Sequence, residues 1–221
     1  MIKVRLFGFI IVGLLGLVLT FFQEKYPIKY MQVATIESSP AGEPSIVVTF
    51  KDLVTNETIY LRKTKDNIPL HYFKKVIGEV CNDEECRLLD ILVYWNITGR
   101  YLGFELPKGE FLSKYDHDPF SENEYQRLHT LLADLSIPLD AVSFEKLVEQ
   151  PKNDEGVVDA VSGATSKSVA DMVVKGAAYT TYKLWNIVNG PTMDIVSKLT
   201  EKQLTPTLIY RILQSPDISD R

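Results

Sequence analysis

Eight consecutive residues, Asp159-Ala160-Val161-Ser162-Gly163-Ala164-Thr165-Ser166, place three hydroxyl side chains around a Gly-Ala pair. The small residues let another enzyme's active site close around the chain, and Gly163 reaches backbone angles that other residues avoid. Beyond them Val169, Met172, Val173, Thr180 and Leu184 recur at helical spacing, which predicts a long helix over about residues 167–186. Thr165 then stands at the helix entrance. A phosphate ester there would meet unpaired backbone N–H groups and the positive end of the helix dipole, with Lys167 one turn away. A hydroxyl is a poor nucleophile without an activating base, and nothing nearby in the sequence supplies one. That lack would fit a hydroxyl modified by a separate enzyme. The plainer reading is that Ser162 or Thr165 simply caps the helix.

The two cysteines form a second cluster, Cys81-Asn82-Asp83-Glu84-Glu85-Cys86. A disulfide across four residues is feasible outside the cytoplasm, and two unpaired thiols are the next reading. A metal site needs further ligands, and none follow at useful spacing. A redox-active dithiol prefers an electropositive setting, whereas the three intervening carboxylates raise thiol pKa values.

The run from Asp159 to Ser166 resembles the flavinylation motif Asp-x-x-(Ser/Thr)-Gly-Ala-Thr-(Ser/Thr) recognised by periplasmic flavin transferases. That motif occurs in the FMN-binding domains of the C subunit of sodium-pumping NADH:quinone reductase and the G subunit of the Rnf complex. Every constrained position is filled here, by Asp159, Ser162, Gly163, Ala164, Thr165 and Ser166. The resemblance implies that a transferase cleaves FAD, releases AMP and leaves FMN covalently on the Thr165 hydroxyl. It extends compatibly over about residues 88–185, although only the attachment motif is specific. Where those domains carry a Glu-Thr-Pro-Gly loop near the flavin, this chain has Tyr115-Asp116-His117-Asp118-Pro119-Phe120. His117 would then approach the flavin; a solvated turn before a capped helix is the other reading. Tyr94, Trp95, Tyr179 and Trp185 are candidates to stack on the isoalloxazine ring, though such aromatics more often fill a core.

The elements that position these residues read as an α+β domain, an antiparallel sheet packed with helices. Residues 45–50 are β-branched and apolar and read as a strand, with residues 58–61 able to pair with it across residues 55–57. Residues 68–80 are ambiguous between helix and extended chain. Residues 88–97 and 101–106 predict a hairpin around Thr98-Gly99-Arg100. Ser121 with Glu124 marks a capping box, followed by Leu128, Leu131 and Leu132 on one face. Ser143 caps a second short helix, residues 151–156 read as a polar loop, and Asn189-Gly190-Pro191 ends the long helix. Two short helices follow, over residues 194–199 and 205–214. The last carries Ile209, Tyr210 and Leu213 on one face, suited either to docking or to packing on the domain.

At the N-terminus, Lys3 and Arg5 precede an uncharged stretch of 17 residues, 6–22. As a helix it rises about 26 Å, just short of a hydrocarbon core of about 30 Å. Bulky residues stand where a signal peptidase wants small ones, so residues 1–22 read as an uncleaved signal anchor, with a removed signal peptide as the alternative. The positive flank places the rest outside the cytoplasm: a tether over residues 23–44, a domain over 45–190 and a helical tail over 191–221.

With 45% hydrophobic and 24% charged residues the chain is globular in composition. Its net charge of -5 argues against nucleic acid as a partner. No nicotinamide fingerprint, haem-attachment motif or iron–sulfur cysteine set occurs, so electrons would come from a partner protein. The expected function is a membrane-anchored extracytoplasmic flavoprotein relaying electrons between a redox donor and acceptor. Its alternatives are a flavin-dependent reductase of a small acceptor, with His117, Asp116 and Asp118 as its acid–base candidates, and a non-redox anchored interaction module.

Overall fold

Along residues 89–96 buried and half-buried side chains alternate strictly, Leu89, Ile91, Val93 and Trp95 going inward and Asp90, Leu92, Tyr94 and Asn96 outward. That period of two is the signature of a strand with one face on a core. The computed structural model describes residues 27–32, 45–51, 56–64, 67–82, 85–114, 117–142 and 170–214. Among them six strands form one antiparallel sheet: β1 (Ile28–Met31), β2 (Ser45–Lys51), β3 (Asn56–Lys63), β4 (Pro69–Asn82), β5 (Glu85–Asn96) and β6 (Tyr101–Leu106). Their spatial order is β1-β6-β5-β4-β3-β2. Helices α1 (Glu122–Ala133), α2 (Ala178–Asn189) and α3 (Pro191–Gln203) pack on one face, and α4 (Pro206–Gln214) ends the described chain. The α+β class expected from the sequence is therefore present.

Each hairpin has a local cause. β2 and β3 pair with Lys51 opposite Asn56, so Asn56 and Glu57, expected in the turn, belong to β3. Residues 68–80, locally ambiguous, are strand from Pro69 on because β5 takes the backbone hydrogen bonds of residues 71–80 on one side and β3 those of residues 69–74 on the other. Between β5 and β6 the Asn96 side chain holds the turn, Oδ1 accepting from the amides of Thr98 (3.0 Å) and Arg100 (2.9 Å). Gly99 there takes φ of 84°, a region that favours glycine. A Cβ at Gly99 would also run into the Met193 carbonyl at the start of α3.

The stretch expected as a tether contributes to the sheet. Ile28–Met31 pairs along β6, and Tyr30 stacks on Phe104 at 5.4 Å and on Tyr125 of α1 at 5.9 Å. Helix α1 begins as its capping box predicts: the Ser121 hydroxyl accepts from the Glu124 amide, and Glu124 accepts from the Ser121 amide at 2.7 Å. Pro191 starts α3 immediately after Gly190, so the first tail helix is longer than residues 194–199. The last helix matches its expected span within a residue, and Ile209, Tyr210 and Leu213 on it are exposed.

One expectation fails. No continuous helix runs over residues 170–186: Ala170–Met172 form a single 3-10 turn, and α2 starts only at Ala178. Gly176, at φ of 73°, reverses the chain between them. The Thr181 hydroxyl accepts from the Val174 amide (3.1 Å) and donates to the Ala177 carbonyl (2.9 Å), bracing α2 where no side chain caps it. Burial of both Val173 and Val174 stabilises this turn over a helix.

Among the described residues no helix is long and apolar enough to cross a membrane. Residues 6–22, the helix expected after Ser143 and the polar loop at 151–156 lie outside the described residues.

Candidate functional site

Asp159, Ser162, Gly163, Ala164, Thr165 and Ser166 also lie outside the described residues. What the structure does provide is the frame at both ends of the segment that contains them, residues 143–169. Upstream, Leu139–Ala141 makes a 3-10 turn with Leu139 fully buried, followed by Val142. Downstream, the described chain begins at Ala170, entering the fold again. Arg127, on α1, donates through Nη2 to the Asp171 carbonyl and ties this re-entry to α1. Val173 and Val174 then insert into the core.

The loop that carries His117 adjoins this re-entry. Ser113 and Pro119 form an antiparallel bridge, the Lys114 amide donates to Asp118 O (2.9 Å), and the His117 amide donates to Lys114 O (3.0 Å). His117 sits in this turn at φ of 63°, the left-handed region that costs a non-glycine residue energy. Phe120 is buried next to the turn, and the Tyr125 hydroxyl accepts from the Leu112 amide at 2.9 Å, so the base of the loop is fastened to α1. The Lys114 side chain runs beside Gly176, its carbons 3.5 to 3.6 Å from where a Cβ would stand. Lys114 Nζ also pairs with Glu124 at 3.4 Å. Burial pushes the Glu124 carboxyl up, but the Ser121 amide and hydroxyl and the Lys114 ammonium outweigh it and leave it below its ordinary value.

The fold thus brings together two stretches distant in sequence, the turn with Lys114 and His117 and the re-entry over residues 170–176. Two cations, Lys114 and Arg127, flank that re-entry. Sequence reading found His117 and missed both cations, because their role depends on contacts across 62 and 44 positions. The helix expected to open beside Thr165 is described only from Ala178, 13 positions further along the chain.

The aromatic candidates separate. Trp95 is fully buried and donates through Nε1 to Val188 O at 2.8 Å. Trp185 is buried and donates to Asp134 O at 3.3 Å. Both are core residues bridging strand to helix or helix to loop. Tyr179 is exposed on α2, with Lys183 Nζ 5.9 Å from its ring. Tyr94 points to the sheet face away from the helices.

That second face holds a cluster the sequence did not announce. Tyr60 stacks on Phe73 at 5.1 Å, Phe73 lies 5.8 Å from Tyr94, and His71 meets Tyr94 edge-on at 5.7 Å. Arg62 lies over Phe73 at 5.9 Å, and the Tyr94 hydroxyl donates to Glu105 at 3.2 Å. His71 is buried, its Nδ1 has no hydrogen-bond partner, and its pKa is lowered to about 4. Burial is the main cause, with the charges of Arg62 and Lys29 adding to it. The imidazole is neutral at physiological pH.

Comparison with family models, curated proteins and solved structures finds no match.

Proposed function

We propose that this chain is a membrane-anchored extracytoplasmic flavoprotein that carries FMN covalently on Thr165 and relays electrons between redox partners. The observation that carries the reading is the run Asp159-Ala160-Val161-Ser162-Gly163-Ala164-Thr165-Ser166, which fills every constrained position of the flavin-transferase motif. The finer fold assignment, an FMN-binding-like domain behind one N-terminal transmembrane helix, belongs to the same proposal. So do the roles of Asp159, Ser162, Gly163, Ala164, Ser166 and His117 around the cofactor.

The described residues fit such a group. A phosphodiester on Thr165 brings negative charge close to the re-entry, and Lys114 and Arg127 flank that stretch. These side chains, with Lys175 in the re-entry itself and Lys167 nearer the acceptor in sequence, supply the positive charge in this reading. His117, whose amide donates to Lys114 O within its turn, is the candidate to influence the ring's surroundings. FMN supplies one- and two-electron transfer, and the protein supplies attachment, position and electrostatics. Covalent attachment retains the cofactor in a compartment without a flavin pool.

The test is intact mass. Full-length chain co-produced with a flavin transferase should gain one FMN and stay yellow after denaturation. Thr165→Ala should be colourless and unmodified. Retention of covalent flavin by the alanine variant refutes the attachment site.

A further inference from the structure

The cysteine pair stands at a defined place in the sheet. β4 and β5 pair without interruption over twelve positions, from His71 opposite Asn96 to Asn82 opposite Glu85. Cys81 is directly opposite Cys86, one step before the last pair. Residues opposite one another in an antiparallel ladder share a face and have Cα atoms about 4.5 or 5.5 Å apart, depending on the type of pair. Both values fall in the range of about 4.4 to 6.8 Å that disulfides occupy. Backbone placement therefore satisfies the main geometric demand of a disulfide without any strand movement.

The ladder around the pair is otherwise lightly supported. Pairing of β3 with β4 extends as far as Lys74, and that of β6 with β5 as far as Leu92. Among the described residues, the stretch from Val76 and Ile91 outward to Asn82 and Glu85 is a two-stranded ribbon, anchored at its base by the buried Val76, Leu89 and Ile91. Such ribbons are marginal in water by themselves. Register matters here, since a one-residue slip would send Tyr72, Val76, Ile91, Val93 and Trp95 to the wrong face.

We propose that Cys81 and Cys86 are joined by a disulfide that locks the register of the β4–β5 ribbon. The inference does not rest on the flavin reading. Formation proceeds by exchange with a disulfide-bearing oxidant, such as oxidised glutathione or a dithiol oxidase. One cysteine thiolate attacks the donor disulfide and expels its first thiol. The other cysteine attacks the mixed disulfide and expels the second. Two electrons and two protons pass from the protein thiols to the donor, which leaves as two thiols. The carboxylates of Asp83, Glu84 and Glu85 disfavour the thiolate form and so slow exchange in either direction once the bond is made.

The experiment uses the full chain incubated with oxidised glutathione, quenched in acid and alkylated in denaturant without reductant. Cleavage at Glu84 and Glu85 separates the two cysteines in sequence. The expected result is a pair of unalkylated peptides joined within one chain and released by reduction. Two alkylated cysteines, two glutathione adducts or a bond between chains would each overturn the proposal. In the oxidised protein, amide hydrogen exchange over residues 77–82 should be slower by roughly tenfold or more than after reduction. Equal exchange would refute the locking role even if the bond forms. The double variant Cys81→Ser with Cys86→Ser should exchange like the reduced protein.

Discussion

His71 shows what one buried side chain does to the whole equilibrium. Its folded-state pKa is depressed from 6.5 to about 4, so the unfolded chain binds a proton that the folded chain refuses. Stability is therefore unaffected by this group above its unfolded pKa and falls as pH drops from about 6.5 towards 4, by up to about 3 kcal/mol. His129, also lowered by burial, acts with the same sign. Replacing His71 with Phe keeps an aromatic ring in the Phe73–Tyr94 cluster and removes an orphaned polar atom. Urea denaturation at neutral pH and at about pH 4.5 should show a smaller acid loss for His71→Phe than for the native chain. An unchanged difference would mean that His71 is solvated in the folded state. Nothing in the local sequence Pro69-Leu70-His71-Tyr72 announced this. The burial depends on neighbours from β3 and β5, which pair with β4 only after folding.

Elements were legible where their cause is local. The capping box of α1, the Gly99 turn and the Gly190–Pro191 boundary each depend on side chains within about four residues, and each occurs as read. The long helix expected over residues 167–186 was misjudged because apolar spacing alone does not show that Val173 and Val174 are buried in a turn braced by Thr181. β1 was read as a tether because four residues carry too little periodicity to stand out. It depends on Gly103, where a Cβ would strike the Tyr30 carbonyl and Met31 across the ladder. Gly103→Ala should therefore displace β1 while leaving the rest of the sheet. Hydrogen exchange should find amides of residues 28–31 unprotected and those of β4 and β5 little changed. Retained protection at β1 would show that the strand can shift to admit the methyl group.

For the whole molecule, the proposed anchor governs where the domain works. Only five residues separate residue 22 from Ile28, and fully extended they span at most about 20 Å, so a membrane-embedded N-terminus would hold the sheet edge close to the bilayer. The full chain should sediment with membranes and resist alkaline carbonate. A chain beginning at Gln23 should be released, and carbonate extraction of the full chain would remove the anchor reading. Sequence alone determined the Asp159–Ser166 run with its proposed acceptor hydroxyl at Thr165, the apolar N-terminal stretch, the helix caps and the α+β class. These are written in residue identity and short-range spacing. Only the tertiary structure decided that Lys114 and Arg127 flank residues 170–176 and that α2 begins at Ala178 rather than beside that run. It also decided that Trp95 and Trp185 are core and that Cys81 faces Cys86 across the ladder. Those facts come from contacts between residues far apart in the chain, which burial and strand pairing create and local pattern does not encode.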